Sequence, residues 1–229
     1  MSKTIYVINP NSTESITAGI DAAVTPLRSA DGPPIACVTL TDGPPGVQSQ
    51  RDVDGIVAPL LKRAAALEDD AAAFVIACFS DPGMYPLREQ SNRPVLGIAE
   101  CGVLTALTLG QRFGVIAILP TSIPRHLRYF GSMGVNDRFV ADLSIGLGVT
   151  ELADGERTLA RMIDVGRILR DVHGADVVVM GCAGMARFRA PLERELGIPV
   201  VEPTQAAVTM AIGRVRLGWG GRPLGGGLS

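Results

Sequence analysis

Apolar residues along this chain fall into short runs separated by longer stretches of helical spacing. The runs at residues 5–8, 35–40, 73–77, 95–97, 115–119, 140–145, 177–180 and 200–201 are too short for helices. They alternate little with polar residues and read as strands buried on both faces. Between them the spacing predicts helices over residues 12–23, 47–68, 85–91, 102–109, 123–133, 156–171, 188–196 and 203–217. Strand and helix alternate throughout, so the expected fold is an α/β layered protein with mainly parallel sheets.

The pattern also repeats. An apolar strand leads to Cys78, a glycine-containing loop, a helix carrying Leu87-Arg88-Glu89, and a second apolar run after Arg93-Pro94. About half a chain later the same order leads through Cys182, a glycine-containing loop, a helix carrying Leu192-Glu193-Arg194-Glu195, and a run after Ile198-Pro199. Two pseudo-symmetric lobes follow: residues 1–99, completed by 206–229, and residues 100–205. Ligands of open α/β sheets gather outside the carboxyl ends of strands, so both cysteine loops are expected to face one cleft between the lobes.

Composition narrows the partners. A formal charge of -2, from 21 Lys plus Arg against 23 Asp plus Glu, and no basic block interleaved with aromatics argue against nucleic acid and for a small ligand. No apolar run approaches the roughly 20 residues of a membrane helix. Met1-Ser2-Lys3-Thr4 leads into a strand rather than a long apolar segment, and the cytoplasm is the expected location. The cysteines Cys37, Cys78, Cys101 and Cys182 form no CxxC or Cys/His cluster, so neither a metal nor a disulfide framework is expected. Neither a Walker loop nor GxGxxG follows a strand, and the glycine-rich stretch 221–228 reads as a loose tail.

Cys37 and Cys101 are explained as small buried apolar residues. Cys78 and Cys182 are not, because their matched strand-to-loop positions suit a pair of acid/base thiols, one removing a proton and the other returning it. Asn9, Asn11 and Ser12 end the first strand, where helix capping and substrate binding are both open readings. Ser80 is open in the same way between turn and ligand, and Phe79 and Met185 between packing and pocket. Thr121 and Ser122 follow the strand that opens the second lobe, and Glu202 and Thr204 close its last edge beside Pro203, which suits a helix start; all four are open between a capped turn and the ligand wall.

Together with Asn9-Pro10-Asn11-Ser12, the two motifs Cys78-Phe79-Ser80 and Gly181-Cys182-Ala183-Gly184-Met185 resemble the aspartate/glutamate/hydantoin racemase superfamily, most closely its hydantoin racemase branch. The resemblance covers nearly the whole chain. It implies cofactor-independent racemisation of 5-substituted hydantoins, allantoin included, with Cys78 and Cys182 as the two bases and a homo-oligomeric assembly. It also implies a small neutral cyclic ureide in the pocket, lined in part by Ala183 and Gly184. Glutamate racemases look like Cys-Asn-Thr and Gly-Cys-Thr-His at these sites; the departures here weaken an amino-acid substrate. Maleate cis-trans isomerisation and non-catalytic binding of a small molecule remain the alternative readings.

Overall fold

The computed structural model describes residues 3–220. Eight strands and nine α-helices alternate among them. The first half runs β1 (Thr4–Asn9), α1 (Glu14–Val24), β2 (Ile35–Thr39), α2 (Gln50–Gly55), α3 (Val57–Ala65), β3 (Ala71–Ile76), α4 (Met84–Gln90), β4 (Val95–Gly97) and α5 (Ile98–Leu109). The second half runs β5 (Phe113–Ala117), α6 (Ile123–Met133), β6 (Phe139–Ser144), α7 (Gly155–Asp171), β7 (Val177–Met180), α8 (Arg189–Leu196), β8 (Val200–Val201) and α9 (Pro203–Arg216). The glycine-rich stretch 221–228 lies outside the described residues.

Two four-stranded sheets result, in the orders β2-β1-β3-β4 and β6-β5-β7-β8, and every strand pair in them is parallel. The expected α/β fold with two similar parallel-sheet lobes is thus the observed one. In each sheet the chain moves outward from the first strand and then returns to its other side. This leaves a crevice at the carboxyl ends of β1 and β3, and of β5 and β7, where ligands of such sheets collect.

One apolar core joins the sheets. Val7 and Val75 of the first sheet and Val115 and Val179 of the second belong to it, together with Val103 of α5 and Val208 of α9. The last helix of each half crosses over: α5 packs against β7 and α9 against β1 and β3, and the two helices pack on each other. Gly102 permits this crossing, since a Cβ there would stand 2.9 Å from the Pro203 Cβ and 3.3 Å from Val179 Cγ1.

Two elements differ from the sequence reading. The helix expected over 47–68 starts at Gln50, behind a capping box of Ser49 and Asp52, and is broken at Ile56. Pro59 has no N–H to give the Gly55 carbonyl, which is where α2 stops. The helix expected over 102–109 begins at Ile98 directly after β4. Its first amides find an acceptor outside the local sequence: the Asp81 carboxylate takes hydrogen bonds from Ala99 N at 2.9 Å and Glu100 N at 2.8 Å.

Candidate active site

β3 and β7 occupy the same place in their sheets, and each is followed by one residue and then a cysteine. Cys78 and Cys182 line the same cleft, together with Pro10, Asn11, Phe79, Ser80, Ser122, Ala183 and Gly184. The sequence Gly181-Cys182 is required sterically, because a Cβ at Gly181 would lie 2.7 Å from the Ile116 carbonyl oxygen of neighbouring β5. Gly184 likewise leaves room beside the second thiol: a Cβ there would be 3.6 Å from Cys182 Sγ and 3.0 Å from Leu152 Cδ1.

The two thiols have matching environments. Burial pushes Cys78 up to about 12 and Cys182 up to about 11, so both are protonated near neutrality in the unliganded cleft. In each loop a backbone amide opposes that shift by donating to the sulfur, from Ser80 to Cys78 and from Gly184 to Cys182. A charge on Cys182 raises Cys78 further, so the cleft favours one thiolate rather than two. Arg125 acts in the opposite sense on Cys78, and Glu202 raises Cys182.

The other residues singled out from the sequence divide. Asn11 reaches the cleft, held by Asn9, whose Nδ2 donates to Asn11 Oδ1 and to Thr17 Oγ1, each at 3.0 Å. Asn9 itself is fully buried behind it. Ser12 is half-buried outside the cleft lining, and its amide donates to the Pro44 carbonyl. Ser122 faces the cleft, whereas exposed Thr121 donates to the Gln48 carbonyl at 3.1 Å. Met185 packs among Ile116, Met180 and Leu192. Glu202 caps α9 by accepting from Thr204 N and Gln205 N, and Thr204 is fully buried with its hydroxyl unpartnered. Phe79 contributes to the cleft wall and meets the His126 ring edge-on at 5.1 Å between centroids.

Arg125 and His126 were not anticipated from the sequence, and both line the cleft. They sit one turn into α6, which follows β5, so the strand-to-helix position was available as a signal. His126 Nδ1 lies 2.6 Å from Asp142 Oδ2 of β6, and both side chains are almost fully buried. That bond holds the imidazole in place against Phe79. Asp81, three residues beyond Cys78, has the left-handed φ of 42° and also accepts from the Tyr129 hydroxyl of α6 at 2.8 Å. One carboxylate therefore joins the first thiol loop, α5 and a helix of the other half.

Equivalent strand ends of the two halves thus bring two thiols into one cleft. The family model for Asp/Glu/hydantoin racemases matches residues 5–211. The chain belongs to this family. The hydantoin racemase of Pseudomonas sp. (strain NS671) is 34% identical over 219 residues, covering 93% of this chain and 86% of that one. Allantoin racemase from Klebsiella pneumoniae has the same fold at a TM-score of 0.87 and 30% identity, covering 98% of this chain and 92% of that one. Allantoin racemase from Pseudomonas fluorescens superposes at a TM-score of 0.90 and 27% identity, covering 97% and 94%. This member of the Asp/Glu/hydantoin racemase family is accordingly an isomerase of the racemase type. Among its described residues no helix is long and apolar enough to cross a membrane.

Proposed function

We propose that this protein is a cofactor-independent racemase of 5-substituted hydantoins, allantoin among them, acting through Cys78 and Cys182. The observation that carries this reading is the pair of half-buried thiols from equivalent strand ends in one cleft, each with an amide donated by the residue two positions on. One cysteine, as thiolate, takes the C5 proton. The charge spreads onto the adjacent ring carbonyl, and the other cysteine, as thiol, returns a proton to the opposite face. The opposite enantiomer exchanges the two roles. Polar groups at the cleft edge, from Asn11, Ser80 and Ser122, are placed to bind ring N–H and carbonyl groups. The reading includes a small cyclic ureide as ligand, self-assembly into a homo-oligomer and a cytoplasmic location.

The test is proton NMR of separate D- and L-5-benzylhydantoin samples in D₂O with metal-free protein, following loss of the C5 proton alongside optical rotation. Exchange with loss of rotation is expected. No change above the uncatalysed rate for this substrate, for allantoin or for a hydantoin with a charged 5-substituent overturns the hydantoin reading. A maleate-mass thioether on one cysteine would favour the isomerase alternative.

A further inference from the structure

The cleft holds a buried positive charge with no carboxylate of its own. Arg125 is 8% exposed. Its guanidinium donates only to neutral oxygens: Nη1 to the carbonyls of Thr121 at 2.9 Å and Gln48 at 3.3 Å, Nη2 to Ser122 Oγ at 3.3 Å, and Nε to Ser80 Oγ at 3.5 Å. The ion pairs found among the described residues do not include it. The nearby carboxylates are engaged elsewhere. Asp52, whose charge reaches Arg125, accepts from Gln48 N and Ser49 N. Asp142 holds His126, and Asp81 holds the start of α5 and Tyr129.

An arginine stays charged in proteins, and an uncompensated charge withdrawn from water is costly. Cys78 and Asp52 favour that charge without pairing with it, and a neutral ring adds no counter-charge of its own. On the Arg125 side the thiol cleft adjoins a recess lined by Gln50, Ser80, Arg125, His126, Arg128 and Tyr129, whereas a second groove beside the thiols is lined by Ile16, Val149, Leu152 and Ala183 together with Thr13 and Arg187. The thiols thus adjoin a recess with two arginines, one of them buried Arg125, and a mixed groove whose arginine, Arg187, is exposed and donates to the Leu152 and Ala153 carbonyls.

We infer that the substrate bears a carboxylate that pairs with Arg125, making the preferred ligand a hydantoin whose 5-substituent ends in an anionic group. This rests on the hydantoin reading and adds charge to the substituent of an otherwise neutral ring. Arg125 is then a specificity-determining residue: with Nε, both Nη1 hydrogens and one Nη2 hydrogen given to protein oxygens, the remaining Nη2 hydrogen is the one offered to the carboxylate, and desolvation strengthens the pair.

The experiment compares 5-(2-carboxyethyl)hydantoin with its near-isosteric amide, 5-(2-carbamoylethyl)hydantoin, by C5 proton exchange in wild type, R125Q and R125K. In wild type kcat/KM for the acid should exceed that for the amide by about tenfold or more, the scale of one charge-assisted bond. In R125Q the ratio should fall to about 1, and R125K should recover part of it. A wild-type ratio of 1 or below overturns the inference even if R125Q does not fold. A ratio unchanged in R125Q overturns it too, and that is the result expected if Arg125 serves only to stabilise the Cys78 thiolate, because both substrates would then slow alike. Exchange of the amide without preference for the acid leaves the hydantoin reading standing while the inference falls. If neither compound exchanges, the hydantoin reading falls, and calorimetric binding of the same pair decides the arginine. Acid-selective binding lost in R125Q upholds its role, and absence of selectivity or of binding removes it.

Discussion

A thiol is a useful base only as thiolate, and at the residue scale both candidate thiols are held far above neutrality by burial. The lower of the two, Cys182, stands at about 11. The monoanionic cleft, with one thiolate and one thiol, therefore grows about tenfold per pH unit below that value. kcat/KM for a hydantoin should rise with a slope near 1 in a logarithmic plot from pH 6 to 9, whereas a flat profile would place the ionisation below that range. C78S and C182S should each lower racemisation by at least about a thousandfold while keeping the fold, because serine is too weak an acid to replace a thiol. Single-enantiomer exchange in D₂O, read with circular dichroism as the folding control, tests this; full racemisation by either variant would end the two-base mechanism. The thiols were legible from the sequence because the same strand-to-loop pattern occurs twice. Arg125 was not, since one arginine on an amphipathic helix has no distinguishing pattern until the fold shows which oxygens surround it.

At the scale of elements, strands and helices were mostly recoverable from spacing, and the exceptions have local causes. A proline that breaks a helix can be read from the sequence; a carboxylate that starts one from another loop cannot. Asp81 performs that second task for α5. Its ordinary value of 3.8 is raised by burial to about 7, against the opposing effect of the two amides and Tyr129. The folded state then holds a proton that the unfolded chain releases between about pH 4 and 7, so stability falls as pH rises through that window. Urea denaturation at pH 4 to 8 should show this fall in wild type and a flatter curve in D81N, which has no proton to lose. The pocket for this carboxylate depends on Gly97, where a Cβ would meet Asp81 Cγ at 2.1 Å. G97A should cost about 1–3 kcal/mol in the same denaturation experiment.

At the scale of the molecule, crossing helices and interlobe contacts join the halves. α5 and α9 each cover the opposite sheet, so the halves share a core and should unfold together. Filling the crossing with G102V should destabilise the protein by about 1–3 kcal/mol while leaving one coincident transition by circular dichroism and by hydrogen exchange in both sheets. Separate transitions would show that the halves are independent. Buried Asp142 depends on His126 in a similar all-or-none way. H126A would leave the Asp142 carboxyl without its hydrogen-bond partner, at about 1–3 kcal/mol. Denaturant midpoints of H126A and of the double variant H126A/D142L separate that penalty from lost packing, since removing the buried polar group should restore part of the stability.

Periodicity alone determined the alternation of strands and helices, and the internal repeat determined which two cysteines are equivalent, because both are properties of order along the chain. The quoted motifs were also enough to place the family. Tertiary structure decided which sides of those elements meet. It carried Asn11 into the cleft and left Asn9 behind it, turned Ser122 inward and Thr121 outward, packed Met185 away, and set Arg125 and His126 beside the thiols. Those outcomes depend on chain crossings between residues tens of positions apart, and on burial that changes a group's charge. Neither is encoded in local spacing.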